Sequence, residues 1–185
     1  MPFIWRDQLN YEQIASLTIS NLQMLLDNLK IPLAVGPINQ EDYMILTSGY
    51  AELEWGNGFC THGNRDEKIE FCLKLLSGPL KHIPAGAALC TFDEDTKVIE
   101  IHFVESFVRD NKEHPLYGQM FTITLWAVYL FGSAVGCEEI RIPDAVNQRV
   151  VDHYKKYGFE GNLKLLTAPF ATLGSVVRQY IKITR

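Results

Sequence analysis

Asn147-Gln148-Arg149-Val150-Val151-Asp152-His153-Tyr154-Lys155-Lys156-Tyr157-Gly158-Phe159 is the stretch on which the reading of this chain turns. Val146, Val150, Tyr154 and Tyr157 recur at threes and fours, the spacing that gathers apolar side chains on one face of a helix. Asn147 stands where an N-cap side chain accepts from a free backbone amide. Gly158 stands where a helix ends in the left-handed conformation that glycine adopts without strain. Arg149, Lys155 and Lys156 then fall on the solvated face of the helix.

Working outward, Ile140-Arg141-Ile142 reads as a short strand closed by Pro143, whose ring cannot donate to a sheet ladder. Leu116 to Val135 is largely apolar and too long for a strand, which predicts a buried helix ending near Gly136. Ala87 to Phe92 and Val98 to Val104 are strand-like runs around the polar loop Asp93-Glu94-Asp95-Thr96-Lys97, a hairpin. In the second run Ile99, Ile101 and Phe103 alternate with Glu100, His102 and Val104, so that one face is apolar and the other carries potential chemistry. The tail adds two predicted strands, Leu163 to Thr167 and Val176 to Ile183.

Toward the N-terminus the pattern is less regular. Asn64 followed by Glu67 forms a capping box, and Ile69, Cys72, Leu73 and Leu76 then share a face, which predicts a helix stopped by Gly78-Pro79. Tyr43 to Thr47 reads as a short strand, with Gly49, Gly56, Asn57 and Gly58 punctuating a loop. Tyr11 to Leu29 carries Ile14, Leu17, Leu22, Leu25, Leu26 and Leu29 on one helical stripe, ended before Pro32. With no internal repeat, the intermixed helices and strands imply one mixed α/β sheet.

With 185 residues, 47% of them apolar and 21% charged, the chain suits one domain with a sizeable core. The formal net charge of -5 opposes a broad phosphate-binding surface, so no nucleic-acid partner is expected. No stretch of 18 apolar residues runs uninterrupted, and no basic segment followed by an apolar one opens the chain, so neither a membrane span nor a secretory leader is expected. Cys60, Cys72, Cys90 and Cys137 are scattered and form no C-x-x-C pair, which predicts reduced thiols, a cytoplasmic setting and no metal site.

The 147–159 stretch resembles the late helix of the GNAT superfamily of N-acetyltransferases: Asn, a small or apolar residue three on, Tyr seven on, and Gly-Phe at eleven and twelve. Hairpin, loop, long helix, short strand and this helix follow the family's order. The resemblance is carried by residues 85–185, with residues 1–84 as the helical and irregular N-terminal part of the same domain. It implies a mixed α+β fold whose central, mainly antiparallel sheet is flanked by helices. It also implies an acyltransferase that moves an acetyl or other acyl group from acetyl-CoA, or another acyl-CoA, to an amine on a small molecule or a protein. The alternative is a noncatalytic GNAT-like binding or regulatory module that has lost or weakened cofactor binding. In the family two central strands splay apart, here the ones at Val98 to Val104 and Glu139 to Ile142, and the pantetheine arm enters the gap.

The same resemblance assigns candidate roles. The backbone near Val104 and Ser106 would meet the arm and polarise the thioester, and Asn147 would lie beside it. The family's phosphate loop, Gln or Arg, two residues, Gly, one residue, then Gly or Ala, corresponds to Glu113-His114-Pro115-Leu116-Tyr117-Gly118, which matches only at Gly118. Gly118 and the amides of Gln119 and Met120 would present a helix N-terminus to phosphate. Tyr154 matches the tyrosine that protonates the departing thiolate, and it reads equally as a core tyrosine. Glu100 matches the base of the histone-acetylating branch, or is a salt-bridged surface glutamate. His102, pointing the same way, is a proton relay or a structural histidine. Glu105 is a third candidate. Cys60-Thr61-His62 offers a thiol and an imidazole without a third partner, and Tyr50 and Trp55 line an acceptor pocket or form a minor hydrophobic cluster.

Overall fold

The computed structural model describes residues 10–63, 68–78 and 81–184. Seven strands form one sheet in the order β1-β2-β3-β4-β5-β7-β6: β1 Ala34–Gly36, β2 Lys68–Leu76, β3 Gly86–Asp93, β4 Val98–Ser106, β5 Glu139–Pro143, β6 Glu160–Gly161 and β7 Leu165–Pro169. All neighbours are antiparallel except β4 and β5, which run parallel. The helices are α1 Tyr11–Asn28, α2 Gln40–Ile45, α3 Trp55–His62, α4 Met120–Val135, α5 Gln148–Lys155 and α6 Phe170–Thr184, with a π-helical turn at Leu46–Tyr50. The expected mixed, mainly antiparallel sheet flanked by helices is the architecture found.

Two cores sandwich the sheet. On one face Phe71, Leu73 and Leu75 of β2, Ala88, Cys90 and Phe92 of β3, and Ile99 and Ile101 of β4 pack with Leu22 and Leu26 of α1 and most of α4. On the other, Ala87 and Leu89 pack beneath Leu46 and Trp55 from the segment 46–62. Helix α4 is buried along most of its length, as its near-continuous apolar run demands, and ends at Gly136 with φ +72.

Three predicted elements differ. The helix expected from Ile69, Cys72, Leu73 and Leu76 is strand β2, where Phe71, Leu73 and Leu75 alternate with Glu70, Cys72 and Lys74; its pairing from Lys68↔Asp93 to Leu75↔Gly86 fixes the period of two. The Asn64 and Glu67 capping box lies outside the described residues. Tyr43 to Thr47 is helical, because Asn39 and Asp42 make a reciprocal capping box just before it. Val176 to Ile183 belongs to α6, whose Leu173 and Val177, four apart, are buried against the rest of the core.

One finer expectation also changes. The β3–β4 register steps from Cys90↔Ile101 to Leu89↔Phe103, so His102 is the extra residue of a β-bulge. Beyond it the alternation reverses. Phe103 joins the face of Glu100 and His102 and packs edge-on against Trp55, while Val104 turns toward the core that holds α4.

Candidate functional site

Strands β4 and β5 pair only at Val98↔Glu139, Ile99↔Ile140 and Glu100↔Arg141. Past Glu100 they part, and the β5-facing backbone of residues 101–106 has no partner from β5. Unpaired main-chain groups need donors or acceptors from somewhere, which makes this edge a natural seat for an amide-rich ligand. A cleft of about 540 Å³ occupies the gap, walled by Ile101, His102, Val104, Glu105 and Ser106 on one side, Ile142 to Asn147 on another, and Glu52 with Leu53 across the mouth. A second cleft of about 480 Å³ continues from it between Tyr117, Gly118, Met120 and Phe121 and the helix α5 residues Arg149, Val150 and His153.

Val104, Ser106 and Tyr154 line both clefts. Tyr154 is placed by α5, whose N-cap Asn147 accepts from the Val150 amide at 3.0 Å and whose Val151 is fully buried. Its ring stacks on Phe121 at 4.1 Å, and burial pushes its hydroxyl up to about 12. It is therefore protonated throughout the neutral range. Ser106 Oγ is buried without a hydrogen-bond partner among the described residues. An orphaned buried hydroxyl costs free energy unless something supplies a partner, and here it lies at the junction of two clefts.

His102 lines the first cleft from the bulge. Its Nε2 lies 2.8 Å from Thr91 Oγ1 and 3.4 Å from Glu100 Oε2, and its ring stacks on His62 at 3.7 Å. Burial first, then the neighbouring His62 and Lys68 charges, pulls its pKa down to about 3, so the ring is neutral near pH 7. Glu100 lines neither cleft and pairs with Lys68 at 3.3 Å. The two candidates do point the same way, with Glu100 behind His102.

Glu105 is also at the cleft, but its carboxylate is already occupied. Oε1 accepts from the amides of Glu52 at 2.7 Å and Leu53 at 3.2 Å, and Oε2 accepts from Trp55 Nε1 at 2.7 Å. Trp55 is fully buried in the smaller core, which is the hydrophobic-cluster reading of that residue. Tyr50 packs at a tilt against Phe107 and donates to the Pro84 carbonyl. Cys60 is exposed, and among the described residues no cluster of three His, Cys, Asp or Glu could hold a metal.

The segment before α4 departs from a phosphate cradle in a specific way. Consecutive turns consume its amides: His114 to the Asn111 carbonyl, Tyr117 to His114, and Gln119 to Leu116 at 2.9 Å. The Leu116 amide donates to His114 Nδ1, and the Leu116 side chain is fully buried. The Gln119 amide is thus not free, contrary to expectation. Helix α4 still begins without a side-chain cap, and a side chain at Gly118, φ +68, would meet nothing within 4 Å. The splayed edge, the orphaned Ser106 hydroxyl and this uncapped helix start fit an acyl-CoA. Arg109, which sequence reading passed over, lines both clefts and pairs with Glu52 at 2.8 Å. No pattern signals it, because the pair joins residues 57 positions apart across a loop.

No family model matches the sequence, and no curated protein matches it. Solved structures do. The AtaTR structure bound with AcCoA is similar with a TM-score of 0.55 and 18% identity over 80% of this chain and 98% of that one. A mutant form of KacT gives 0.54 and 15% identity, over 78% and 99%. Mutant forms of the spermidine/spermine N-acetyltransferase SpeG from Vibrio cholerae give 0.52 and 12%, over 77% and 98%. Among the described residues no helix is long and apolar enough to cross a membrane. The chain has the GNAT-superfamily fold.

Proposed function

We propose that the protein is an acyltransferase that moves an acetyl or other acyl group from a coenzyme A thioester to an acceptor amine. The observation that carries this is the wedge between β4 and β5, with Tyr154 and the unpartnered Ser106 hydroxyl at the point where its two clefts meet. The similar structures, which include the AtaTR structure bound with AcCoA and the spermidine/spermine N-acetyltransferase SpeG, support the same reading.

In this reading the backbone at Val104 and Ser106 holds the thioester arm, Asn147 flanks it, and Gly118 with the Met120 amide faces the phosphates at the start of α4. Donors fixed at the thioester oxygen stabilise the charge that forms there as the amine attacks. The new C–N bond forms at the carbonyl carbon and the C–S bond breaks. Tyr154, protonated throughout the neutral range, gives its hydroxyl proton to the departing sulfur. The amine proton leaves through His102, which is neutral and at the cleft wall, toward Glu100 at 3.4 Å from Nε2. An acceptor on a small molecule or a protein fits the open mouth at Glu52 and Leu53.

The second reading, a noncatalytic binding module, is favoured by the 111–119 segment, whose amides are spent on its own turns. Calorimetry and thermal denaturation with acetyl-CoA and longer acyl-CoAs separate the two. At a hundredfold excess over Kd a working carrier site adds about 2.7 kcal/mol of stability, together with acetyl transfer to an amine. Binding without transfer to any amine in a broad panel, or no binding at all, favours the module.

A further inference from the structure

We propose that Glu105 is a positioning residue that fixes the acceptor wall of the cleft, and is not a proton acceptor. The inference rests on the transferase reading of that cleft. The wall is the backbone at Glu52 and Leu53, part of an irregular connection between the π-helical turn and α3. No strand or helix ladder sets its position. Glu105, the penultimate residue of strand β4, sets it instead.

Its carboxylate accepts from two consecutive wall amides through Oε1 and from the Trp55 indole through Oε2. The indole is the centre of the smaller core, touching Phe59 and Phe103. The carboxylate therefore ties an irregular connection to a fully buried indole. Arg109 completes the arrangement, with Nη2 at 3.9 Å from Glu105 Oε1 and Nη1 at 2.8 Å from Glu52. The residue is 6% exposed, and both oxygens face donors. A carboxylate so engaged is committed to holding the wall through charge-assisted bonds to N–H donors.

Glutamine is the informative substitute because it has the same shape. Its single carbonyl oxygen can serve either the wall amides or the indole, and its NH2 group then faces N–H donors on the other side. Glu105→Gln is expected to free the wall. Backbone amides of residues 52 and 53 should exchange with deuterium about tenfold faster or more. Acetyl transfer to N-α-acetyl-lysine amide should show KM raised about tenfold, with kcat and the acetyl-CoA Kd unchanged.

Arg109→Gln, made at a half-exposed side chain, is the companion in case Glu105→Gln does not fold. It removes the Glu52 pair and should show the same pattern with smaller amplitude. Unchanged exchange at 52 and 53 in a folded Glu105→Gln protein overturns the proposal, and so does unchanged exchange in Arg109→Gln where the first variant does not fold. A fall in kcat at constant KM also overturns it and makes Glu105 the base. Exchange and acetyl-CoA binding need no acceptor, so a failure of the transferase reading shows as absent carrier binding and leaves the exchange result to decide the role of Glu105.

Discussion

The two walls of the β4–β5 cleft are built by different means. The inner wall consists mainly of regular elements, β4, β5, the start of α4 and the capped helix α5, packed on a common core, with the short connection 144–147 between β5 and α5. The outer wall is an irregular segment, residues 51–54, held by one carboxylate, one indole and one arginine. A wall made of secondary structure is overdetermined, since many bonds specify its position. A wall pinned by a few side chains is adjustable by a single substitution, and this is the side on which an acceptor would enter.

The largest effect expected separates chemistry from scaffold on the inner wall. Tyr154→Phe keeps the ring stacked on Phe121 and removes only the hydroxyl, so turnover should fall about 10²- to 10⁴-fold with the melting temperature nearly unchanged. Steady-state kinetics beside a thermal melt checks this, and full turnover would remove Tyr154 from the acid role.

Two glycines then allow each wall to be strained alone. A Cβ at Gly86 would sit 2.5 Å from Met120 Sδ and 2.8 Å from Leu116 Cδ2, pressing on the start of α4. A Cβ at Gly58 would sit 2.5 Å from Phe103 Cε2, pressing on the Trp55 cluster. Each alanine should cost about 1–3 kcal/mol, read by denaturant unfolding. Gly86→Ala should weaken acyl-CoA binding by calorimetry and Gly58→Ala should not. Equal effects on carrier binding would erase the distinction between the walls.

A further effect is the pH dependence set by His102, which lies between the two. Its pKa is lowered from the usual value to about 3 in the folded protein, so the unfolded chain binds the proton more readily. Its contribution to stability is fully present above about pH 6.5 and is lost as pH falls from there toward 3. His102→Gln should flatten that part of the stability profile. An unchanged profile would mean that the ring is not buried neutral between His62 and Thr91.

The sequence made the inner wall legible and left the outer one obscure. The 147–159 helix announces itself through an N-cap, a heptad-like stripe and a terminal glycine, all local signals, and α4 through its unbroken apolar run. Strand β2 was misread because Ile69, Cys72, Leu73 and Leu76 fit a helical face as well as Phe71, Leu73 and Leu75 fit a strand, and only the partner β3 decides between them. The bulge at His102 and the reversal of Phe103 and Val104 depend on cross-strand register, which no local pattern carries. The same holds for Glu105, whose partners lie about fifty residues upstream. Chemistry-bearing residues could be named from the strand and helix patterns, but which carboxylate is engaged and which is open required their neighbours.

The central claim is that the parting of β4 and β5 seats a thioester arm. A crystal structure of the protein with acetyl-CoA tests it most directly. The arm is predicted to run between residues 101–106 and Ile142–Asn147, with its sulfur beside the Tyr154 hydroxyl and the Ser106 hydroxyl no longer without a partner. Density for the ligand elsewhere, or strands paired beyond Glu100↔Arg141 with the gap closed, would contradict it.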